Sequence, residues 1–465
     1  MKLKFITLYL IFCIVASSAV AQDSSIMLPL STFIETVRNN HPGARQAGIV
    51  VKKAEADLLS AQGAFDPSAN LNASRKTFDG KNYYFYSNPE LKVPLPVGDV
   101  KAGLENNGGQ YLTTEETAGS TSYLGIELPL AKGLITDKRR TALQQARLYN
   151  GMSAQEKLVM INNLLLDAYL AYYNWAAAFK LYHVYGQYVN VNEKRLRLIK
   201  TGQANGDRSA MDTAEAYTQL QNFLIMQSEA LIRLNAARFE MDNFIWGSNK
   251  QPQNIADGVY PDTTELQKPF VIVSLTGLLQ TNEQQNPQLL QYKFKIDALL
   301  AEKKLKFQSM LPAVNLKANL LSKDYYVLKN FSGATLQNNY KWGIDIKIPL
   351  LLREGRGEYA KAKLKVEETN LDLQQKTLET QNKIKDYHSQ YTLLQNQLQN
   401  ANSALVNYNS LLRNELLRFE NGESSLFIVN SRENKLLEMQ QKIIELQLKS
   451  MKVKYTMEWV AGQLK

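Results

Sequence analysis

The stretch IKDYHSQYTLLQNQLQNANSALVNYNSLL, residues 384–412, decides the fold of this chain. Its apolar residues recur at alternating steps of three and four, which is the spacing of a coiled-coil seam. The seam positions are Ile384, Tyr387, Tyr391, Leu394, Leu398, Ala401, Leu405, Tyr408 and Leu412. Neither Pro nor Gly interrupts the stretch, and the pattern predicts one long helix over residues 356–419. At about 1.5 Å per residue, this helix would be about 96 Å long.

A second seam of the same kind occurs earlier in the chain and predicts a long helix over about 137–201. Its positions are Leu158, Ile161, Leu165, Ala168, Tyr172, Trp175, Phe179 and Tyr182. The aromatic residues in this region have two interpretations, a site for an aromatic ligand or the core of the coiled coil. Their heptad spacing favours the core.

The chain contains an internal repeat, because residues 30–74 align without a gap on residues 275–319. The alignment matches Leu30 with Leu275, Pro42 with Pro287, Ala56 with Ala301 and Pro67 with Pro312. So many coincidences at one fixed offset indicate duplication of a structural unit. The sequence therefore predicts two halves with the same order of elements.

Each predicted half has two strands, a long helix, a hairpin tip and a return helix. The first half, 22–247, has strands at about 67–76 and 122–130, the long helix at about 137–201, the tip at about 202–208 and the return helix at 209–246. The second half, 271–465, has strands at about 312–322 and 340–350, the long helix at about 356–419, the tip at 420–423 and the return helix at 424–461. A connector, 248–270, joins them, and a surface loop over about Lys76–Ser120 separates the first two strands.

The clearest predicted strand alternates between apolar and polar residues, which gives it two different faces. Trp342, Ile344, Ile346 and Ile348 lie on one face, and Lys341, Gly343, Asp345 and Lys347 on the other. A soluble sheet with one wet face fits this pattern. A transmembrane strand of about 9–11 residues with lipid on the apolar side fits it equally well. The pattern alone leaves both interpretations open.

Residues 1–21 have the features of a secretory signal peptide. Lys2 and Lys4 precede an apolar core, and a small-residue cleavage pattern ends at Ala21. The only cysteine, Cys13, lies inside that core, so neither disulfides nor thiolate metal sites are expected in the mature chain. The later apolar runs are shorter than the roughly 20 residues of a membrane-spanning helix. We therefore expect any membrane-spanning part to consist of β-strands.

Composition and motifs argue against catalysis, cofactors and nucleic-acid binding. The formal net charge of +10 is spread without a basic cluster, which is typical of solvated helix faces. The three histidines, His41, His183 and His388, have no partner at a metal-ligand spacing. The chain lacks a phosphate-binding Gly-x-x-x-x-Gly-Lys-[Ser/Thr] loop, so we do not expect it to couple ATP to transport. No cofactor or metal is expected.

Taken together, these features resemble the TolC-like outer-membrane efflux proteins over essentially the whole mature chain. The resemblance rests on the duplicated element order, the Asn-Pro-type break before Pro287, and the Pro-Leu-x-x-Gly exit from the strand at Pro129. The tips add a Gly-x-x-Ser-x-x-Asp pattern, which is present as Gly206, Ser209 and Asp212.

The resemblance implies an α+β membrane protein in which a long α-helical coiled-coil barrel continues a β-barrel. In that family each chain contributes four transmembrane strands, and a homotrimer forms one twelve-stranded barrel. The implied partners are outer-membrane lipid, a periplasmic adaptor (membrane fusion) protein and an inner-membrane transporter. The implied location is the outer membrane of a Gram-negative bacterium, with the helices extending into the periplasm.

The predicted site residues form two groups. The first group lies at the periplasmic tip and gate: Gly206, Ser209, Asp212, Glu215, Gly422 and Ser425. The second group lines the barrel lumen: Asn70, Asn72, Asn315, Lys317, Asn319, Asp345 and Lys347. Asp212 is either part of an acidic gate or a helix-start carboxylate near the positive end of the helix dipole. The second tip has Ile428 and Ser431 where relatives with an acidic ring have carboxylates.

The function expected from these features is a passive exit duct of a tripartite efflux or type I secretion system. Helical hairpins would gate it at the periplasmic end, and its cargo is not encoded in any motif. The alternative is a secreted or periplasmic coiled-coil scaffold or adhesin without a channel. That alternative explains the long helices but not the strand pairs at equivalent positions of the repeat.

Overall fold

A computed structural model gives the fold and describes residues 26–268, 274–325 and 338–464. The predicted signal peptide, residues 1–21, lies outside the described residues. Parts of the connector 248–270 and of the loop before residue 340 also lie outside them.

Long helices and one sheet account for most of the described chain. The helices are α1 (Leu30–Asn40), α2 (Pro42–Gln62), α3 (Lys138–Ala204), α4 (Ala210–Asp242), α5 (Leu275–Gln285), α6 (Pro287–Gln308), α7 (Arg353–Glu420) and α8 (Leu426–Val460). The strands are β1 (Ile26–Leu28), β2 (Ser68–Phe78), β3 (Lys81–Leu95), β4 (Gly98–Gly108), β5 (Gly119–Pro129), β6 (Val259–Pro261), β7 (Ala313–Lys323) and β8 (Tyr340–Lys347). Helices α3 and α7 have 67 and 68 residues, against a usual mean of about 11–12.

The described chain divides into two compact units, and each long helix contributes residues to both. One unit, called here the hairpin unit, contains residues 26–45, 161–268, 274–277 and 383–464. The other, called here the sheet unit, contains residues 46–160, 278–325 and 338–382.

The coiled-coil seam predicted for α7 packs against α8 in the hairpin unit. Tyr391 and Leu394 are 1% and 4% exposed, and they lie in one apolar cluster with Ile443 and Leu446 of α8. Tyr387, Leu398 and Leu405 are partly buried against the same cluster. The predicted heptad phase is therefore confirmed at these positions. The helix lies against its partner because burying this apolar stripe removes it from water.

The aromatic residues of α3 form the core of the hairpin unit. Tyr172, Tyr173 and Trp175 are all at most 1% exposed, and Phe33 of α1 stacks on Tyr172 with ring centroids 5.6 Å apart. The hydroxyl group of Tyr172 donates to the carbonyl of Leu28 at 2.7 Å and accepts from the N–H of Asp262 at 3.0 Å. These bonds tether the segments that carry β1 and β6, which pair in parallel. The prediction that these aromatic side chains are core residues is confirmed.

The sheet unit contains an antiparallel sheet of six strands in the order β2-β3-β4-β5-β7-β8. A two-residue turn, Asp79-Gly80, joins β2 to β3, and both of its residues have positive φ (52° and 68°). Positive φ at both positions is the requirement of a type I′ hairpin turn, which Asp-Gly satisfies well. Strands β2 and β8 form the two edges of the sheet within the described residues.

The prediction of four strands per chain requires correction, because this sheet has six. The segment interpreted as a surface loop, about Lys76–Ser120, contains β3 and β4 as well as the end of β2 and the start of β5. The segment contains Pro89 and Pro94, and proline is uncommon inside strands because it cannot donate to a ladder. The ladder between β3 and β4 has a gap at Asn88 and Pro89, and there the side chain of Asn88 accepts from the N–H of Asn106 at 3.3 Å.

Asparagine and proline together start helix α6 in the sheet unit. The side chain of Asn286 accepts from the N–H of Gln288 at 2.9 Å, and Pro287 is the first helical residue. Proline suits that position because its missing N–H would have had no helical partner. Asn282 is fully buried and donates to Thr380 of α7 at 3.2 Å, which fixes the break between α5 and α6 against the long helix.

Among the helices of the described residues, none combines the length and the apolar character needed to cross a bilayer.

Adjacent leucines on α7 test the predicted phase of the seam. Leu394 is 4% exposed, whereas Leu393 is 58% exposed. Leu394→Ala should lower the free energy of unfolding by about 2–5 kcal/mol, because it leaves a cavity in a packed cluster. Leu393→Ala, the matched control, should change it by less than about 0.5 kcal/mol. Urea unfolding followed by helical circular dichroism measures both, and equal losses would contradict the assigned phase.

Candidate functional site

The seven residues predicted to line a lumen lie on one face of the six-stranded sheet. Directly opposed residues of an antiparallel pair share a face, and side chains alternate along each strand. Asn70 and Asn72 are opposite Glu90 and Asn88, and this register continues through β4 and β5 to β7. Asn315, Lys317, Asn319, Asp345 and Lys347 occupy the same face on β7 and β8. We call this surface the polar face.

The opposite surface of the sheet, called here the apolar face, carries large hydrophobic side chains. Its members include Leu71, Leu91, Val100, Leu124, Ile126, Leu316, Trp342, Ile344 and Ile346. Trp342 and Ile346 are 64% and 62% exposed. A continuous apolar surface of this kind marks a contact with another apolar phase or another protein.

Charged pairs cross the polar face between β3, β4 and β5. Lys92 contacts Asp99 at 2.8 Å, and Lys101 contacts Glu127 at 2.8 Å. The hydroxyl group of Tyr123 donates to Glu90 at 2.6 Å. Sequence reasoning missed these residues because it placed most of them in a loop. The Asp79-Gly80 dipeptide and the alternation from Glu90 to Leu95 were the signals that could have found the strands.

The tips predicted at Gly206 and Gly422 end α3 and α7 with left-handed glycines. Their φ angles are 85° and 77°. In the first tip, the N–H of Asp207 donates to the carbonyl of Gly202 at 2.8 Å, and in the second tip, the N–H of Glu423 donates to that of Arg418 at 2.8 Å. This is the hydrogen-bond pattern of a Schellman cap, in which glycine avoids a Cβ clash. Both tip glycines are therefore explained by helix termination.

Asp212 and Ser209 form a capping box at the start of α4. The backbone N–H of Asp212 donates to the Ser209 hydroxyl at 3.1 Å, and the Asp212 carboxylate accepts from the Ser209 N–H at 3.1 Å. The helix-start interpretation of Asp212 thus has a geometric basis. The gate role of Asp212 stays a prediction.

Glu215 and Ser425, the remaining predicted tip residues, have different environments. Glu215 accepts from the side chain of Asn430 on α8 at 3.2 Å, so it links two helical hairpins. Ser425 precedes α8, but its side chain makes no capping hydrogen bond. The neighbouring Ser424 instead donates to Glu415 of α7.

A buried ion pair joins α3 to α8 and was not predicted. The guanidinium of Arg195 donates to both carboxylate oxygens of Glu433, at 2.8 and 2.9 Å. The side chain of Asn192 also donates to Glu433, at 3.1 Å. The side chains of Arg195 and Glu433 are 11% and 3% exposed. The sequence carried little signal for this pair, because its members are 238 positions apart.

Further polar contacts join α3, α4 and α8 in the hairpin unit. Tyr185 accepts from Gln441 at 2.7 Å, and Lys180 donates to Gln447 at 3.1 Å. Burial lowers the pKa of the Lys180 ammonium below its ordinary value. On α4, Gln219 donates to Asn434 at 2.8 Å. Arg208 of the first tip lies over the ring of Phe419 at the end of α7, 4.2 Å from its centroid.

The residues that could have held a metal do not come together in the described ranges. Within them, no three His, Cys, Asp or Glu side chains form a cluster that could bind an ion. His41 instead stacks on Phe244 with centroids 5.9 Å apart, and its Nδ1 accepts from the N–H of Gly43 at 3.0 Å. Burial lowers the pKa of this imidazole. His41 therefore helps to shape the break between α1 and α2.

A sequence comparison matches residues 278–452 to the model of the outer membrane efflux protein family. This part of the chain carries an outer membrane efflux protein domain. The family resemblance predicted from the sequence is confirmed, and the outer-membrane location predicted with it agrees with the description of the family. No curated protein sequence matches the chain.

Solved structures that share the fold of this chain include three outer-membrane proteins. The open state of the MtrE outer membrane channel of Neisseria gonorrhoeae has a TM-score of 0.67 at 13% identity, covering 94% of this chain and 89% of that one. VceC of Vibrio cholerae has a TM-score of 0.64 at 15% sequence identity, and the match covers 93% of this chain and 96% of that one. The CmeC outer membrane channel of Campylobacter jejuni has a TM-score of 0.64 at 14% sequence identity, and the match covers 93% of this chain and 85% of that one. At this identity the likeness establishes the fold.

Two carboxylates on α8 test the importance of the buried ion pair. Glu433→Gln leaves the guanidinium of Arg195 buried without a counter-charge, which should lower the free energy of unfolding by about 3–5 kcal/mol. Glu438→Gln, the matched control, removes an exposed partner of Lys435 and should cost at most about 1 kcal/mol. Urea unfolding of the purified protein measures both. Equal, small losses would show that the Arg195 pair contributes no more than a surface pair.

Proposed function

We propose that this protein is an outer-membrane channel that serves as the passive exit duct of a tripartite efflux or secretion system. The observation that carries the proposal is the six-stranded sheet with one polar and one apolar face. The polar face would line a wet lumen, with Asn70, Asn72, Asn315, Lys317, Asn319, Asp345 and Lys347 as lining residues. The apolar face would contact lipid, since lipid tails suit Ile, Leu and Trp side chains.

The duct would form from several copies of the chain, as a homotrimer. Open sheet edges are not tolerated in hydrocarbon, so β2 and β8 must pair with strands of other copies. Exposed apolar stripes at heptad spacing support this assembly. Leu364, Leu371 and Leu378 on α7 are about 60% exposed (63%, 59% and 58%). Ile225, Ile232 and Phe239 on α4 are similarly exposed (59%, 69% and 68%).

The tips carrying Gly206 and Gly422 would form the periplasmic mouth, and the hairpins would gate it. Contacts near the tips are partly polar, with Glu215 bonded to Asn430 and Gln219 bonded to Asn434. Beside them lies an apolar cluster that includes Leu220 of α4 and Leu426 of α8. Such hydrogen bonds contribute only about 0.5–1.5 kcal/mol each, because water replaces them when they break. A docked partner that separated these helices would break both hydrogen bonds and would also have to offset the exposure of the apolar cluster.

The partners of the duct would be a periplasmic adaptor and an inner-membrane transporter, which supplies the energy. The chain itself would act without catalysis and without a cofactor. The rival function, a coiled-coil scaffold or adhesin, leaves the exposed apolar face of the sheet without a role. For this reason the channel is the function that we favour.

Neighbouring residues on β8 test the membrane role of the two faces. Ile344 is 51% exposed on the apolar face, whereas Asp345 lies on the polar face. Ile344→Lys should cost about 2–4 kcal/mol at a lipid contact and reduce the amount of trimer in the outer membrane. Asp345→Asn should assemble like the unaltered protein. Membrane fractionation and chemical cross-linking measure both.

The same experiment has a clear opposing outcome. In a soluble scaffold, a half-exposed isoleucine is easily replaced by lysine, and Ile344→Lys should then fold normally in the soluble fraction. Wild-type protein that remains monomeric, or that fails to conduct in a planar lipid bilayer, would also contradict the channel.

The charge of Asp212 tests whether the mouth has an acidic gate. Symmetry would bring three copies of this carboxylate close together, and like charges at a narrow opening attract cations. Asp212→Asn keeps most of the capping ability but removes the charge. Single-channel recordings should show a weaker preference for cations and weaker block by divalent cations, with an unchanged yield of trimer. If selectivity and block do not change, Asp212 has only its helix-start role.

A further inference from the structure

We infer that β3 and β4 are barrel strands that widen the pore, so that a closed homotrimer has eighteen strands instead of twelve. The inference rests on the proposed function and adds the size of the duct at its membrane end. The family resemblance implies four strands per chain, and this chain inserts a hairpin between the first strand, β2, and its return strand, β5.

The inserted strands have the length and the two faces of membrane strands. β3 has 15 residues and β4 has 11, the same length as β2 and β5. A transmembrane strand needs about 9–11 residues. On β3, Leu91 and Val93 lie on the apolar face, whereas Glu90 and Lys92 lie on the polar face. A surface loop has no need for this alternation.

A tyrosine and a glycine lock the three strands β3, β4 and β5 together on the polar face. The ring of Tyr123 on β5 lies over Gly103 of β4 and reaches Glu90 on β3. A Cβ atom at Gly103 would be 2.4 Å from this ring, so only glycine fits beneath it. The side chain of Tyr123 therefore crosses β4, and its hydroxyl group donates to the Glu90 carboxylate on β3 at 2.6 Å. This fit requires β3 and β4 to be fixed members of the sheet.

The turn between β3 and β4 is anchored to the start of α3. Asp99, just after this turn, contacts Lys92 of β3 at 2.8 Å and Arg139 of α3 at 2.8 Å. A Cβ atom at Gly98 would be 2.4 Å from the carbonyl oxygen of Glu127, so the turn packs closely on β5. Strands β3 and β4 thus extend along the sheet to the end where β5 is followed by the helix.

An external hairpin folded over a four-stranded sheet does not agree with the register. Every pairing of β2 is with β3, from Ser68 opposite Lys92 to Phe78 opposite Lys81. If the hairpin left the sheet, β2 would have to exchange all its β3 partners for β5, and β5 would have to exchange all its β4 partners for β2. In hydrocarbon each backbone group that was not paired again would cost several kcal/mol.

The consequence is a wider outer end of the duct. Barrel diameter grows roughly in proportion to strand number, so eighteen strands give about 1.5 times the diameter of twelve. Barrels of about 16–18 strands leave an open aqueous channel. The membrane end would then admit bulkier solutes than a twelve-stranded barrel.

Cysteine pairs test which strand lies beside β2 in the assembled trimer. No other thiol competes with the introduced cysteines, because Cys13 is the only cysteine in the sequence and can be replaced by serine. Asn72 is opposite Asn88, and Ala73 is opposite Ser87. N72C/N88C and A73C/S87C place cysteines at two successive pairs, one of which has the closer spacing of a non-hydrogen-bonded pair. At least one should form an intrachain disulfide in outer-membrane trimers, detected by mass spectrometry of linked peptides.

A second set of pairs represents the four-stranded arrangement. If β2 paired directly with β5, N72C/G125C and A73C/L124C would form the disulfide instead. That result in conducting trimers, or failure of both β2–β3 pairs, would overturn the inference while the channel function stood. Absence of any outer-membrane trimer would contradict the proposed function, and the inference with it.

A deletion provides an independent measurement of barrel size. Removing residues 81–118 joins Asp79-Gly80 directly to Gly119 and keeps the polar residues of β2 and β5 on the same face. Electron microscopy of trimers should show a barrel about 1.5 times wider in the unaltered protein than in the deletion variant. Equal diameters would overturn the inference, and if the variant fails to fold, the disulfide experiment still decides it.

Discussion

The pairing of backbone groups at the sheet edges is the constraint on which the rest of this structure depends. A strand in hydrocarbon must place every N–H and C=O in a hydrogen bond with protein, since no water is present to replace it. Within the described residues, β2 and β8 each have one edge without a partner strand. In the proposed channel, a chain with two open edges and one lipid-suited face would be complete only when other copies closed the sheet. Assembly and membrane insertion would then depend on the same pairing of edge strands.

The two faces of the sheet follow from this arrangement and use different chemistry. The apolar face needs only hydrophobic side chains, whereas the polar face must accommodate long charged ones across neighbouring strands. Opposite charges meet directly there, as Lys101 and Glu127 do at 2.8 Å. Glycine makes room beneath a large neighbour, as Gly103 does beneath Tyr123. In the proposed channel, a lumen lined in this way would present paired charges to a solute, and its net field would be smaller than the number of charges suggests.

Sequence periodicity predicted the helices well because coiled-coil packing requires apolar residues at alternating steps of three and four. The burial of Leu394 and Tyr391 and the positive φ of Gly206 and Gly422 follow from local rules of spacing and helix termination. The strands β3 and β4 escaped prediction because their segment was interpreted as one surface loop, although Asp79-Gly80 and the alternation from Glu90 to Leu95 were local signals for them. Their pairing accommodates Pro89 in a ladder gap. The Arg195–Glu433 pair escaped for another reason, because only the packing of α3 on α8 brings two distant residues together. Residue types define the faces of helices and strands and the ends of helices. Which distant residues pair is decided by the packing of the elements.

The contacts within and between the helical hairpins differ in how reversible they are. Between α7 and α8, Leu394 packs on Leu446 in a cluster that excludes water, and separating such surfaces costs about 25 cal/mol per Å² of apolar area. Between α4 and α8, Gln219 donates a hydrogen bond to Asn434 that water can replace. Leu220 of α4 also lies in one buried apolar cluster with Leu426 of α8. In the proposed channel, opening at the tips would therefore expose apolar surface between α4 and α8 as well as break this polar contact. Separating α8 from α3 at Glu433 would cost more free energy, because the buried Glu433 carboxylate needs either Arg195 or water to stabilise its charge.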